Sequence, residues 1–211
     1  ESGADMYSSC LTVTEYAALS HWNRFLYRAV RHAIIAHILI PPTVFMVLYR
    51  VPFDTPREWT RERRSVTVTN AGILAVFGLI AAVAGFRNVL LVQLPVIVLA
   101  SIVGVWLFSL QHRFEGAMWA RQSDWSVAKA ALQGSSYLRL PAALQWFTGN
   151  IGFHHVHHLS PRIPNYRLAE CHRALPALQG VKTIGWLQGL GATRLALWDE
   201  AEKRLIRFSD L

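Results

Sequence analysis

The run AGILAVFGLIAAVAGF at residues 71–86 is followed by Arg87-Asn88, then by VLLVQLPVIVLASIVGVWLFSL at residues 89–110. Neither run contains an acidic residue, a basic residue or a histidine. At about 16 and 22 residues they match, or nearly match, the ~20 apolar residues that carry a helix across the hydrocarbon core. The short polar interruption predicts a transmembrane helical hairpin. Upstream, Arg57-Glu58-Trp59-Thr60-Arg61-Glu62-Arg63-Arg64 reads as a solvated charged loop, which the positive-inside rule assigns to the cytoplasm. Both ends of the hairpin then face the cytoplasm. Residues 111–211 hold no later run long enough to span, so they are expected to stay there as a cap of helices.

The composition agrees with a membrane protein. Charged residues make up 16% of the 211, well below the ~25% usual in globular chains. The eight tryptophans suit membrane–water interfaces. A net charge of +8 raises nucleic acid as a partner, but the basic residues sit beside apolar runs and form no nucleic-acid recognition motif. Cys10 and Cys171 are too few and too far apart for a disulfide framework and read as two reduced thiols. The start, Glu1-Ser2-Gly3-Ala4-Asp5, has neither an initiator Met nor a basic leader. It reads as the interior of a longer chain.

Elsewhere the expected elements are helical. Thr14-Glu15-Tyr16 suits the opening of a short helix after a polar loop. Between Trp22 and Ile40, Arg24, Arg28 and Arg31 recur at helical spacing opposite Phe25, Leu26, Ala29, Val30, Ala33 and Ile34. A helix of that kind lies in the membrane surface. Pro41-Pro42 is expected to break it, so residues 22–49 read as an in-plane or re-entrant hairpin, with a kinked spanning helix as the alternative. Asp124 suits the cap of a helix to about Leu132, and Asn165 the cap of one from Tyr166 to Leu175 that Pro176 closes. A last helix is expected from about Thr193 to Phe208. It would bury Leu195, Trp198, Ala201, Leu205 and Phe208, with Asp199–Lys203 and Glu200–Arg204 paired on its other side. The predicted class is an all-α integral membrane protein, a single domain over residues 1–211.

The chemistry concentrates in Gly152-Phe153-His154-His155-Val156-His157-His158-Leu159-Ser160-Pro161, where four of nine histidines fall within five positions. His154, His157 and His158 stand at i, i+3, i+4 and share one face of a helix, while His155 points about 100° away. Burying so many basic rings without a metal would be costly, and imidazole suits zinc, iron or copper. His112, at the cytoplasmic end of the second apolar run, is a good further ligand. Glu115 reads as a ligand, an acceptor that fixes an imidazole tautomer, or a surface charge, with the acceptor role preferred. His172 beside Cys171 reads as structural, and His21, His32 and His37 keep no ligand spacing. Four imidazoles fall short of what two metal ions need. A zinc-binding or zinc-transporting membrane protein would place ionisable ligands within the spanning helices, and the two runs carry none.

The stretch from Gly149 to Tyr166 resembles the third histidine box of the membrane fatty acid desaturases. Arg167-Leu168, Cys171-His172, Pro176, Gln111-His112-Arg113-Phe114-Glu115, Trp119 and Trp198-Asp199-Glu200 are similar to that family as well. The resemblance covers most of the chain from about residue 12. It implies an oxidoreductase of lipid metabolism that uses O₂ and two electrons to remove hydrogens from a fatty acyl chain. Two histidine-held iron ions would do this, on an acyl lipid or acyl-CoA. In that picture His112, His154, His157 and His158 are metal ligands, with Asn150 and Glu115 supporting them. Electrons would come from an outside carrier such as ferredoxin or cytochrome b5. The first two histidine boxes of the family are absent, which implies a C-terminal fragment that is inactive alone. A related hydroxylase or ketolase, and a non-catalytic relative, are the alternatives.

Overall fold

The structure, a computed structural model, describes residues 10–53, 55–118 and 126–211. The chain divides into two compact units, one of residues 1–31 with 107–211 and one of residues 32–106.

In the first unit, Leu11–Thr12 form strand β1, and Thr12 caps helix α1 (Val13–Ala18). Thr12 Oγ1 accepts from the Glu15 amide at 3.1 Å while Glu15 Oε2 accepts from the Thr12 amide at 2.8 Å. This reciprocal pair satisfies two amides that the helix start leaves free. Helix α2 (His21–Arg31) follows. Its Tyr27 hydroxyl accepts from the Leu11 amide at 3.0 Å and donates to the Ala196 carbonyl at 2.9 Å.

The second unit begins with a π-helical turn (Ile35–Leu39), which leads into α3 (Ile40–Met46). Pro41 and Pro42 are the second and third residues of α3, directly after the π-helical turn. The helical run passes through them without a break, so the expected interruption lies upstream, between residues 31 and 35, and not at the prolines. Residues 21–31 and 35–50 together have the length and apolarity of one further span, interrupted at 32–34. That suits both a re-entrant segment and a broken span. Helices α4 (Thr60–Ala84) and α5 (Phe86–His112) are each long and apolar enough to cross a membrane. Val83 of α4 is 92% exposed, as a lipid-facing side chain requires.

Both helices exceed the apolar runs that announced them. The charged stretch is partly helical rather than a free loop, since α4 starts at Thr60. Arg63 Nη1 donates to the carbonyls of Pro52 at 2.7 Å and Thr55 at 2.8 Å, tying the preceding loop to the first turn. The break between α4 and α5 lies at Gly85, whose φ of 84° suits a residue without Cβ. Arg87-Asn88, expected as the turn, belongs to the start of α5. Asn88 Nδ2 caps the Ala84 carbonyl at 2.7 Å.

Returning to the first unit, α6 (Val127–Gln133) is capped by Ser126, whose Oγ accepts from the Lys129 amide at 3.3 Å. Asp124, expected in that role, and Trp119 lie outside the described residues. Next come β2 (Tyr137–Arg139), α7 (Ala142–Phe147) and α8 (His154–Leu159). A 3₁₀ turn at Asn165–Arg167 leads into α9 (Leu168–Ala174), so Asn165 is not the helix cap. Its carbonyl accepts from Asn150 Nδ2 at 3.2 Å instead. Pro176 opens α10 (Pro176–Gln179); β3 (Thr183–Gly185) and α11 (Trp186–Ala192) follow. Strands β2 and β3 pair in parallel, Leu138 opposite Ile184.

The expected last helix is a β-hairpin. Strands β4 (Leu197–Asp199) and β5 (Arg204–Ile206) pair antiparallel, and β1 joins β4 in parallel, in the order β1-β4-β5. Asp199 Oδ1 accepts from the amides of Ala201 at 2.9 Å and Glu202 at 3.1 Å, closing the turn that a helix would have to pass through. Leu197, Leu205 and Ile206 are buried and Ala201 is exposed. Arg204 lies 3.6 Å from Glu115, rather than pairing with Glu200 along a helix. The fold is therefore mostly helical but not all-α.

Lys203 has a φ of 50° in this turn. Replacing Lys203 by Gly relieves a left-handed residue and is expected to raise stability by roughly 0.5 kcal/mol. In a helix the same change would cost about 1 kcal/mol. Thermal unfolding of the detergent-solubilised chain separates the two, and a clear fall in midpoint would contradict the hairpin.

Candidate metal centre

Three imidazoles meet in the first unit. His112 ends α5, while His154 and His158 stand one turn apart on α8. Their Nε2 atoms form a triangle with edges of 2.8 Å (His112–His154), 2.9 Å (His154–His158) and 3.1 Å (His112–His158). The ring planes cross at 76°, 87° and 89°, so three nitrogens aim at one point from three directions.

Local structure sets up this convergence. Gly149 and Asn150 take consecutive left-handed conformations, at φ 62° and 59°, and turn the chain out of α7. A Cβ on Gly152 would overlap the Leu138 carbonyl and the Gln145 amide, so only glycine lets the turn lie against β2. Gln111 Nε2 donates to the Ile151 carbonyl at 2.8 Å. The Gln111 carbonyl in turn accepts from the Ser136 amide at 3.0 Å. One buried side chain thus fastens the end of α5 to the turn that starts α8. Leu110 is fully buried and lies so close to α11 that a Cβ on Gly189 would reach within 2.7 Å of it.

The donor set is prepared for a cation. His112 Nδ1 lies 3.2 Å from the Gly134 carbonyl. With the proton placed there, Nε2 is left bare and facing inward. The pKa of His154 is pushed down to about 2, chiefly by burial and then by His112, His158, His157 and His155. His158 is pushed down to about 4 by desolvation within the cluster, then by His112 and His157. Neutral imidazoles are the form that binds metal. Imidazole nitrogens sit about 2.0–2.1 Å from ions such as zinc, so two on perpendicular bonds are about 3 Å apart and two on tetrahedral bonds about 3.3 Å apart. The observed edges suit one face of a six-coordinate ion, an arrangement with positions left for other ligands. The residues present fit a first-row metal.

Of the four expected ligands, the structure brings three together. His157 is half-buried and stands beside the triangle, its ring centroid 5.8 Å from His154 and 6.0 Å from His158. Glu115 is exposed and pairs with Arg204. Asn150 bonds the Asn165 carbonyl. His155 is fully buried and turned to a different partner, with Nε2 3.0 Å from His172 Nδ1. Its pKa is pushed down to about 4 by burial and then by His172. Tyr137 stacks on Phe153 at 4.7 Å and lies 5.0 Å from His172. Tyr137 and Phe153 link this second pair to the apolar core of Phe153, Val156, Leu168 and Leu178. Sequence reasoning missed the roles of Gln111, Gly134 and Gly152. Gln111 was visible only as a polar residue beside His112, and a backbone carbonyl leaves no trace in sequence.

The sequence pattern of the fatty acid desaturases matches residues 9–186. The chain belongs to the fatty acid desaturase family. A fatty acid desaturase of Bacillus subtilis (strain 168) is 40% identical over 198 residues, covering 94% of this chain and 56% of its own length. The chain thus spans little more than half the length of that relative. Chloroplastic omega-6 fatty acid desaturases of Brassica napus and Arabidopsis thaliana are each 35% identical over 52 residues, 25% of this chain and 12% of their own. Family membership gives the histidine triangle its chemical setting.

Gly152→Ala is expected to displace α8 and to lower metal retention at least about tenfold, the scale on which supporting residues act at metal sites. Gly72→Ala is the control, because a Cβ there meets nothing within 4 Å. Metal content per chain after desalting, measured for both variants, provides the check. Equal retention would show that the close approach at Gly152 does not position the ligands.

Proposed function

We propose that this chain forms part of a histidine-ligated di-iron centre that desaturates fatty acyl chains with O₂. The observation that carries the proposal is the triangle of three inward-facing Nε2 atoms in a desaturase family member. His112, His154 and His158 hold one ion, and His157, presented by the same short helix, is a further ligand. When bound, iron supplies the activation of O₂ needed to remove hydrogens from an unactivated chain. The protein's part is to keep the ligating nitrogens neutral and aimed. The contact between His112 and the Gly134 carbonyl, the Gln111 tie and the close approach at Gly152 serve that end.

The substrate is an acyl lipid or acyl-CoA reached from the bilayer, and electrons arrive from an outside carrier such as ferredoxin or cytochrome b5. The arginines at the start of α4 support a multi-pass topology with that end, and the metal centre, on the cytoplasmic side. Three or four imidazoles support one ion better than two. The isolated chain is therefore expected to hold at most one metal and to show no turnover.

The test uses the natural polypeptide that carries this chain, with iron assayed and acyl products resolved by mass spectrometry. Wild type is expected to introduce a double bond. His112→Ala, His154→Ala and His158→Ala should each lower that activity at least about 100-fold, together with bound iron. Tight zinc without iron, or hydroxylated product with no new double bond, would overturn the proposal.

A further inference from the structure

Helix α2 carries two unlike faces. Trp22, Phe25, Leu26 and Val30 project into solvent, with the Trp22 and Phe25 rings stacked at 5.6 Å. No residue of α2 is fully buried. Together with Phe25, the basic residues His21, Arg24 and Arg28 line an open pocket of about 480 Å³ against α1, beside Tyr16 and Leu211. That volume falls within the range of small-molecule sites.

Two guanidinium groups are held in this pocket, and among the described residues neither is ion-paired. Arg28 Nε donates to the Tyr16 hydroxyl at 2.6 Å, and its guanidinium lies 5.1 Å from the Phe208 ring. Arg24 lies 5.9 Å over the Tyr16 ring and donates through Nη2 to the Ala17 carbonyl. Its Nε is buried and has no hydrogen-bond partner. Among the described residues no acidic side chain lines the pocket, and the α-carboxylate of Leu211, which does line it, forms no ion pair with either arginine. Two cations held around one phenol repel each other. An unsatisfied buried donor of a charged group costs free energy until an acceptor arrives.

We propose that this pocket binds the phosphoryl headgroup of an anionic phospholipid. Arginine recognises phosphate through paired donors. An amphipathic helix with Trp and Phe on its apolar face settles at the acyl–headgroup boundary, which brings its basic face to the depth of the phosphates. The inference stands apart from the metal centre, so either can fail without the other.

The test is lipid retention by the full chain in neutral detergent, read by native mass spectrometry with phosphatidylglycerol and phosphatidylcholine of equal chain length. Wild type is expected to keep phosphatidylglycerol about 30-fold better, in line with roughly 1 kcal/mol for each of the two arginines at a membrane surface. Arg24→Gln with Arg28→Gln should abolish that preference, whereas Arg61→Gln should not. If the double variant melts early, wild type decides alone: the preference must collapse between about 0.1 and 1 M salt. Equal retention of the two lipids, or a preference untouched by both the substitutions and salt, would overturn the proposal. So would displacement of the lipid by millimolar inorganic phosphate, which would make this a free-phosphate site. Binding of an acidic electron carrier that depends on Arg24 and Arg28, without lipid preference, would make it a protein-docking surface instead.

Discussion

Three neutral imidazole nitrogens held about 3 Å apart are an uncomfortable arrangement, and much of the first unit serves to impose it. At that spacing two bare nitrogens repel and a single N–H can bridge only one edge of the triangle, while desolvation opposes relief by protonation: His154 is pushed down to about 2. A cation is the natural resolution. The cost is met by burial elsewhere, because the Gln111 side chain, Leu110 and the glycine contacts at 152 and 189 tie α5, α8 and α11 into one packed body. The ligands come from helices 42 residues apart in sequence, so the site exists only when the fold does.

The histidines divide by environment more than by spacing. Four lie within five positions on or beside one helical turn, yet His154 and His158 face His112 while His155 faces His172. A period of 3.6 predicts that split, since residues one apart diverge by about 100°. It does not predict what stands opposite. The stacked Tyr137, Phe153 and His172 rings fill the side that His155 meets, which makes a packed pair of one histidine and leaves the others free to converge.

What was legible in the sequence follows from the range of the interactions. The two long apolar helices were readable because an unbroken apolar stretch of about 20 residues matches the thickness of a bilayer and little else. The histidine face was readable because helical periodicity is local. The last segment was misread because Leu195, Trp198, Leu205 and Phe208 satisfy a helical spacing and, in part, a strand alternation, an ambiguity that short runs leave open. The contacts that settled it are nonlocal: Leu11 pairs with Leu197 across the chain, and Tyr27 bonds the Ala196 carbonyl. The same holds for Arg63, whose bonds to Pro52 and Thr55 turn a charged stretch into a helix start.

The arginines of α2 carry that argument further. A basic stripe opposite an apolar stripe was visible in the sequence and pointed to a membrane surface. Its meaning narrows once the stripe is seen against Tyr16 and Phe208, which hold two guanidinium groups in place with one buried donor unspent. Solvated arginines would only raise a diffuse potential that salt screens. Arginines fixed by aromatic faces have already given up their side-chain entropy, so an incoming anion meets prepared donors. In both the histidine triangle and this pocket, polar groups are held where they are unsatisfied alone, and in both the packing that holds them comes from sequence-distant segments.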